Sequence, residues 1–372
     1  MQDRPRRITL LIHALTGGGA ERQICSLANF LASKHLDCTL ITLDHQASDR
    51  YSLDAPVKRI NLNQMSPSRS IWEAISANRQ RISSLREAVR LSQPDCVISF
   101  CDKMNIVAIA ACRPLTIPLV ISERSDPQRQ KLGWMWEAAR RWQYPKCTAC
   151  VAQTTGVANY LRRIIGKRPK IEVIPSAIEP PTVAFQEPVA RSDSDMTLLY
   201  AGRLSHEKGP DRLMRAWSQL ADKHPSWKLR LIGEGPLEAT LRQMCQDLRI
   251  QPRVEFLGWQ EDVWPQLYQA HAFVLPSRYE GFPGVLIEAM YAKLAVVATD
   301  CSESIREMID HERTGLIAEN ADDSLVNQLD RIMSAPQLRN QIGIAAHRTA
   351  TQYVWSQVGI RWIKLIEQLC PP

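Results

Sequence analysis

The chain has 372 residues, of which 45% are hydrophobic and 23% are charged, an ordinary balance for a soluble globular protein. At about 150 residues per domain this length predicts two or three domains, and the composition excludes disordered, collagen-like and coiled-coil proteins. No apolar run approaches the ~18 residues that are needed to cross a bilayer.

The net charge of +7 is unevenly distributed along the chain. Residues 1–185 contain 26 basic and 15 acidic side chains, a net charge of +11, whereas residues 186–372 contain 20 and 24, a net charge of −4. We therefore expect the first half to face an anionic partner. The ten cysteines are scattered, which favours free thiols in a reducing compartment.

The start of the chain has two interpretations. Three arginines precede the apolar stretch Ile8–Leu15, and small residues follow at Gly17–Ala20, which matches a secretory signal in outline. The alternative is a buried strand, a Gly-rich turn and a helix. Helical periodicity continues through Glu21–Leu31, which a cleaved leader does not require, so the sequence favours the second interpretation.

Strands then alternate with helices, the pattern of a parallel, doubly wound α/β sheet. In the first half we predict strands near residues 8–13, 38–43, 95–100, 117–122, 148–153 and 171–174. We predict helices near 19–34, 69–92, 104–112, 133–144 and 155–165. The segment Ser176–Asp195 contains three prolines and no periodicity, which is typical of a linker.

The alternation restarts after the linker. We predict strands near 196–200, 229–232, 254–256, 272–275 and 295–299. We predict helices near 210–222, 236–248, 263–269, 284–292, 322–334, 336–350 and 354–369. The expected organisation is an N-terminal Rossmann-like domain (1–185), a second one (186–353) facing it across a cleft, and a C-terminal helix (354–372) packing back on the first.

The strongest local motif runs from Glu280 to Glu288, directly after an apolar strand. Pro283 favours the first position of a helix, so the N–H groups of Gly284–Leu286 would be free to bind phosphate. Glu288 lies one turn into that helix, where its carboxylate suits hydroxyls such as a ribose diol, and Glu280 would face the cleft. The alternative is a helix start with two acids placed near its dipole.

A second motif, Ala201–Gly209, also follows a strand. Arg203 offers a planar fork and Lys208 a point charge, two complementary ways to hold a diphosphate. Gly202 and Gly209 allow the backbone to come close.

A third motif, Thr16–Glu21, contains three successive glycines at the end of the first strand. It is not G-x-G-x-x-G, so it gives weak support for dinucleotide binding. A flat surface for a phosphate or sugar and a tight turn that needs small residues are both compatible with it.

These three motifs, in order and spacing, resemble the family 4 glycosyltransferases, which are retaining, nucleotide-sugar-dependent enzymes of the GT-B fold. The resemblance covers nearly the whole chain. Segments 100–105 and 121–127 are most similar to bacterial enzymes that extend lipid-linked oligosaccharides or exopolysaccharide repeats, including those that add N-acetylgalactosamine to undecaprenyl-linked glycans.

The resemblance implies catalytic roles for Arg203 and Lys208, which would neutralise the donor diphosphate, and for Glu280, which would orient the transferred sugar. It also implies a set of donor-binding residues: Gly18, Gly19, Phe282, Pro283, Gly284, Val285 and, on the ribose, Glu288. Many relatives have a histidine facing the sugar where this chain has Glu123 and Arg124. Either of these could replace it, and the alternative for both is an exposed ion pair.

No Asp-x-Asp metal motif follows a predicted strand, so we expect a metal-independent enzyme without a cofactor, in which Arg203, Lys208 and a helix dipole do the electrostatic work. Cys147 and Cys150 straddle a predicted buried strand, which favours inert core thiols over a redox pair.

Basic residues and tryptophans are interleaved in one stretch of the first half. It contains Trp134, Trp136, Trp142, Arg140, Arg141 and Lys146. A second basic group, Arg69, Arg79, Arg81, Arg86 and Arg90, lies on an earlier predicted helix. These groups predict association with an anionic membrane surface, with a solvated basic face as the alternative. No recognised nucleic-acid-binding module accompanies the charge.

The sequence therefore predicts a retaining glycosyltransferase on the cytoplasmic face of the membrane. It would move a hexose or N-acetylhexosamine from a UDP-sugar to a lipid-linked oligosaccharide or polysaccharide-repeat acceptor. A sugar-nucleotide epimerase of related fold and a nucleotide-sugar-binding protein without catalysis are the alternatives, and the set of Arg203, Lys208, Glu280 and Glu288 argues against the latter.

Overall fold

The computed structural model describes residues 6–45, 49–65, 71–166, 168–181 and 195–371, with the backbone only for 71–75. It divides into two compact units, which separate between Ala177 and Ile178 and again between Val354 and Trp355. The expected boundary between residues 185 and 186 lies outside the described residues, as does Arg69.

The first unit contains a seven-stranded sheet in which neighbouring strands are parallel. Its strands are β1 (Arg7–Ile12), β2 (Asp37–Thr42), β3 (Lys58–Asn61), β4 (Cys96–Phe100), β5 (Leu119–Ser122), β6 (Ala149–Ala152) and β7 (Lys170–Val173). The strands lie in the order β3-β2-β1-β4-β5-β6-β7, so the direction in which successive strands are added to the sheet reverses between β1 and β4. Strands such as β6, which is buried along its whole length, are continuous apolar runs because helices cover both faces.

The second unit contains a six-stranded sheet, also parallel. Its strands are β8 (Met196–Ala201), β9 (Trp227–Ile232), β10 (Val254–Phe256), β11 (Ala272–Leu275), β12 (Ala295–Thr299) and β13 (Leu316–Ala318). The order β10-β9-β8-β11-β12-β13 reverses between β8 and β11. In open α/β sheets, ligands bind outside the carboxyl ends of the strands at such a reversal.

The helices of the first half are α1 (Gly19–Ser33), α2 (Ile71–Ser92), α3 (Asp102–Cys112), α4 (Trp134–Gln143) and α5 (Thr155–Ile165). Those of the second half are α6 (Pro210–Leu220), α7 (Glu238–Asp247), α8 (Trp264–Gln269), α9 (Gly284–Tyr291), α10 (Glu303–Met308), α11 (Asp322–Ser334), α12 (Pro336–Ala350) and α13 (Trp355–Leu369). No helix in the described ranges is long and apolar enough to cross a membrane.

The C-terminal helix α13 belongs to the first unit. Trp355 stacks on Phe30 of α1 with ring centroids 5.6 Å apart, and Trp362 stacks on Phe100 at 5.9 Å. Gly359 is required between them, because a Cβ at this position would lie 2.2 Å from the Phe30 ring. The helix is thus part of the core of this unit.

Three short elements were not predicted: β3, β13 and α10. The β3 residues Lys-Arg-Ile-Asn include one apolar side chain and lie at an edge of the sheet. The other two have three and six residues, too few to show a periodicity.

Candidate active site

The loops after β8 and β11 meet at the reversal of the second sheet. The backbone N–H of Arg278 donates to the carbonyl of Glu207 at 2.8 Å, and the Arg278 guanidinium donates to both carboxylate oxygens of Asp211 at 2.7 Å. Gly209 has a φ of 66°, and a Cβ there would lie 2.2 Å from the carbonyl oxygen of Pro276. Gly209 is therefore needed for a close approach between two loops of the protein.

Lys208 and Glu280 form an ion pair across this junction. The Lys208 ammonium lies 2.7 Å from Glu280 Oε2, and the Ser277 hydroxyl donates to Glu280 Oε1 at 2.7 Å. The Lys208 side chain is 31% exposed and that of Glu280 is 4% exposed. The cation thus reaches the surface, while the carboxylate lies beneath it and holds it in place.

Arg203 lies on the same edge, in the loop after β8. Its side chain is exposed and makes no ion pair with residues that the structure describes. Its carbonyl accepts a hydrogen bond from the buried Tyr200 hydroxyl at 2.9 Å, which fixes the turn. The loop after β9 packs against it so closely that a Cβ at Gly235 would lie 2.4 Å from the Leu204 carbonyl oxygen.

Helix α9 begins beside these loops at Gly284, where the helix near 284–292 was predicted to start. Pro283 is the N-cap, and the N–H of Leu286 donates to its carbonyl at 3.1 Å. The prediction that Leu286 also has a free N–H group is therefore wrong, because the helix closes its first turn there. Gly284 and Val285 supply the free N–H groups, and the space in front of Gly284 is open for 4 Å.

Two further side chains of the donor motif lie just before and within α9. Phe282 packs on Tyr353 with ring centroids 6.0 Å apart. Glu288 is 2% exposed, one turn into the helix. The structure thus brings Lys208, Glu280 and the start of α9 to one edge of the sheet, with Glu288 held below the surface.

Sequence reasoning missed Asp211 and Arg278, which hold the two loops together. Although burial opposes ionisation, the hydrogen bonds and charge of Arg278 lower the pKa of Asp211 to about 2. A lowered carboxyl pKa contributes stability that is present above its ordinary value of 3.8 and is lost as the pH falls through about 2.

We expect Asp211→Asn to destabilise the protein at pH 7 by about 2 kcal/mol, because the carboxylate is mostly shielded from solvent. The difference from wild type should shrink as the pH falls from 4 toward 2. Urea unfolding across this range measures it. Asp222→Asn, at an exposed position, is the matched control and should change the free energy of unfolding little. A constant Asp211→Asn deficit at all pH values would contradict the assignment.

In the first unit, the glycine loop lies at the end of β1, beside the reversal of that sheet. Glu21 Oε2 accepts hydrogen bonds from the N–H groups of Gly17 at 2.7 Å and Gly18 at 3.0 Å. A carboxylate therefore occupies the position at which a phosphate was expected. Gly19 has no neighbour within 4 Å of where a Cβ would lie, so it is the glycine open to a ligand.

Glu123 follows β5 and is completely buried. Its carboxylate accepts hydrogen bonds from the hydroxyls of Tyr144 at 2.8 Å and Ser125 at 3.0 Å, and Arg140 lies 3.8 Å away. Burial raises the pKa of Glu123, and the charge of Arg140 opposes this. The carboxylate is thus turned into the core, so no exposed ion pair with Arg124 exists.

Arg124 is half-buried and directed differently. It donates to the Ser176 hydroxyl at 2.7 Å, as Gln153 does, and its guanidinium lies 4.6 Å from the centre of the Phe100 ring. Burial lowers its pKa to about 10. Of the two candidates, Arg124 is the one that reaches a surface at the carboxyl edge of the sheet.

Nothing in the sequence indicated a strained residue at this edge. Cys101, after β4, has a φ of 75° and a ψ of 145°, a conformation that side chains other than glycine rarely adopt. His13, after β1, lies 3.8 Å from Glu21, with 43% of its side chain exposed. Both residues lie where the strand order reverses.

Several basic residues that were assigned to a membrane face are bound to other residues of the same chain. Arg140 is completely buried beside Glu123, Asp102 and Glu137, so its place on an interfacial surface is a wrong prediction. Arg86 donates to the last carbonyls of α3, and Arg90 pairs with Glu87 at 2.7 Å. Cys147 and Cys150 are buried free thiols.

In the part of the chain that the structure describes, no three His, Cys, Asp or Glu side chains are grouped so as to hold a metal ion. The edge of the second sheet instead gathers two cations and free N–H groups, which suits a ligand with several negative oxygens.

Two family models match the sequence. The one for glycosyl transferases group 1 matches residues 184–349, and the one for Glycosyltransferase Family 4 matches residues 17–180. The chain belongs to the family 4 glycosyltransferases. The family resemblance is thus confirmed, and with it a glycosyltransferase activity.

Two similar proteins from Campylobacter jejuni are N-acetylgalactosaminyltransferases. GalNAc-α-(1→4)-GalNAc-α-(1→3)-diNAcBac-PP-undecaprenol α-1,4-N-acetyl-D-galactosaminyltransferase is 29% identical, with 98% of this chain and 99% of the relative covered. N-acetylgalactosamine-N,N'-diacetylbacillosaminyl-diphospho-undecaprenol 4-α-N-acetylgalactosaminyltransferase is 24% identical, with 90% and 92% covered.

Solved structures share the fold of this glycosyltransferase. Sucrose-phosphate synthase from Thermosynechococcus elongatus has a TM-score of 0.84 at 18% identity, with 98% of this chain and 99% of that chain covered. Anabaena HepE in complex with UDP and glucose has a TM-score of 0.77 at 16% identity, with 98% and 100% covered. The predicted GT-B fold, with two Rossmann-like sheets, is confirmed.

Proposed function

We propose that this glycosyltransferase transfers a hexose or N-acetylhexosamine from a UDP-sugar to a lipid-linked glycan with retention of configuration. The observation that carries the donor assignment is the Lys208–Glu280 pair at the reversal of the second sheet, next to the open start of α9. The structure of HepE with UDP and glucose supports a UDP-sugar.

The second unit has the groups that a departing nucleoside diphosphate requires. Lys208 and Arg203 supply positive charge, and the N–H groups of Gly284 and Val285 point out of a helix whose dipole favours anions. Such fixed groups stabilise charge that develops as the phosphate leaves. Glu280 keeps Lys208 in position and, at the same edge, helps to orient the transferred sugar.

The proposed reaction is a front-face displacement, as expected for a retaining member of this family. The bond between the sugar C1 and the phosphate oxygen breaks, and the acceptor oxygen bonds to C1 on the same face. The acceptor hydroxyl proton passes to the leaving phosphate. The cations and helix N–H groups take the electrostatic role that a divalent metal ion has in other transferases.

The acceptor assignment rests on the relatives. Both Campylobacter enzymes are named for glycans attached to undecaprenyl diphosphate. We place the acceptor on the first unit, where Arg124, Gly19 and His13 lie at the carboxyl edge of the sheet. With a lipid-linked acceptor of this kind, we propose that the reaction takes place at the cytoplasmic face of the membrane.

The experiment is to incubate the purified protein with a panel of nucleotide sugars and a bacterial lipid extract, then to analyse the products by mass. We expect a hexose or N-acetylhexosamine added to a lipid diphosphate glycan, from a UDP donor, equally with and without EDTA. Loss of activity in EDTA that magnesium or manganese restores would contradict the metal-independent mechanism. A free epimerised nucleotide sugar made without acceptor would support an epimerase instead.

Glu288→Gln should weaken UDP binding roughly tenfold with little change in turnover, because a carboxylate accepts the ribose hydroxyl hydrogen bonds more strongly than an amide does. Calorimetric titration with UDP measures the affinity. With a UDP analogue that lacks both ribose hydroxyls, wild type and variant should bind alike. Glu303→Gln, at an exposed position on α10, is the control. An unchanged UDP affinity would rule out the ribose assignment.

A further inference from the structure

Helix α4 presents an apolar face to solvent. Trp134 is 82% exposed, Met135 61% and Trp142 64%. Trp134, Ala138 and Trp142 are spaced four residues apart, so they form one stripe along the helix, with Met135 beside it. Two tryptophans this exposed on a single stripe form a surface that water solvates poorly.

The opposite side of α4 is fixed to the body of the first unit. Arg140 is completely buried and lies 3.1 Å from Glu137 and 3.8 Å from both Asp102 and Glu123. Trp136 packs against the core and beneath Lys103, whose ammonium lies 5.6 Å from the ring. The exposed rings are therefore held outward by a well-anchored helix.

Cations surround the apolar stripe. The Lys146 ammonium lies 3.0 Å from the centre of the Trp142 ring, and burial together with the nearby charge of Arg113 lowers the pKa of Lys146. Lys131, Arg113 and Arg141 are exposed and form no ion pair with any residue the structure describes. The acid of the helix, Glu137, is paired with the buried Arg140.

We propose that the stripe of Trp134, Met135, Ala138 and Trp142 inserts into the headgroup region of an anionic lipid bilayer, with Lys131, Arg141, Arg113 and Lys146 on the lipid phosphates. Tryptophan rings favour this depth, and unpaired cations beside them favour anionic lipid over a neutral surface or an apolar protein groove. Arg140 takes no part, because it is used internally. The inference deepens the proposed function, since a lipid-linked acceptor is reached from a membrane surface.

The same helix connects this surface to the proposed acceptor residues. Arg140 lies beside Glu123, whose neighbour Arg124 reaches the carboxyl edge of the sheet. A bilayer that holds the outer face of α4 therefore holds Arg124 at a fixed height above the lipid headgroups. The surface positions the unit and takes no part in the chemistry.

The test is flotation of the full chain with vesicles of phosphatidylcholine containing 0 or about 30% phosphatidylglycerol, at low and high salt. We expect binding to rise with anionic lipid and to fall with salt. Trp134→Ser with Trp142→Ser should lower binding at least tenfold. Lys131→Glu with Arg141→Glu should do the same on anionic vesicles only. Ile344→Ser with Arg348→Glu, exposed positions on α12 in the second unit, should leave it unchanged.

The UDP affinity of every variant is measured by calorimetry. An unchanged affinity shows that the variant is folded, and it tests the donor site independently of membrane binding. We expect it to be unchanged, because all four substituted positions of α4 and its flank lie in the first unit. Tryptophan variants that still float like wild type would overturn the membrane proposal, as would a wild type that self-associates through this face without binding vesicles. If wild type floats as expected but binds no UDP, the donor assignment fails and the membrane proposal stands.

Discussion

Lys208→Ala is expected to lower the turnover number by roughly 10²- to 10³-fold, the usual effect of removing one fixed group that stabilises developing charge. The Lys208 ammonium is held by Glu280 at 2.7 Å and still reaches the surface, so it is organised before the donor binds. Removing it deletes a positive charge next to the leaving diphosphate. Steady-state kinetics with a saturating donor measures the loss.

The control for this variant is Lys223→Ala, which removes an exposed lysine that is paired with Asp330 on the same unit. It should keep full activity. Because Lys208→Ala also leaves Glu280 buried without its cation, thermal unfolding of Lys208→Ala and of Lys208→Ala with Glu280→Gln is compared. If the double variant regains stability, the loss of stability comes from the unpaired Glu280 carboxylate. The turnover of the single variant Lys208→Ala, measured at a temperature at which it is fully folded, then reports the chemistry. A folded Lys208→Ala enzyme with near-normal turnover would exclude the proposed role.

Arg203 provides an informative comparison. Its guanidinium has no ion pair among the described residues, so Arg203→Ala removes charge without leaving a buried partner. The loss of turnover should therefore be of similar size, but the unfolding temperature should stay at the wild-type value. If Arg203→Ala and Lys208→Ala lower turnover equally but only Lys208→Ala lowers the unfolding temperature, the catalytic role of these cations is distinct from their role in holding the site together.

The sequence predicted the strands and helices of both units well where the hydrophobic pattern of the element itself is clear. Strands such as β11 are unbroken apolar runs, and helices such as α1 and α13 keep one apolar face over four turns. Short edge elements such as β3 and β13 were missed, because their stability comes from the neighbouring strand rather than from their own residues.

The sequence named the candidate site residues one by one, but it did not predict the contacts between them. The motifs identified Lys208 and Glu280 separately, and the sequence contained no sign that they pair. Likewise, periodicity placed Arg140 on an amphipathic helix but did not show that this side of the helix packs against the buried Glu123. Pairing of distant charges depends on the packing of elements that are remote in sequence, and a single sequence does not record it.

Gly209→Ala is expected to lower both stability and activity. Gly258→Ala is the matched comparison, because it separates the cost of the backbone conformation from the cost of a steric clash. Both glycines have nearly the same φ, 66° and 68°. A Cβ at Gly258 meets nothing within 4 Å, whereas one at Gly209 would lie 2.2 Å from the Pro276 carbonyl oxygen. Gly258→Ala should therefore cost only the backbone strain of about 1–2 kcal/mol.

Gly209→Ala should cost the same strain and, in addition, force the loop that carries Lys208 away from the loop that carries Glu280. We expect a total loss of about 3–5 kcal/mol in the free energy of unfolding, in the range of the most damaging single substitutions, and a large loss of turnover. Urea unfolding and steady-state kinetics of both variants measure these effects. If the two variants were equally stable and active, the contact at Pro276 would not be what holds Lys208 beside Glu280, and the ion pair alone would have to join the loops.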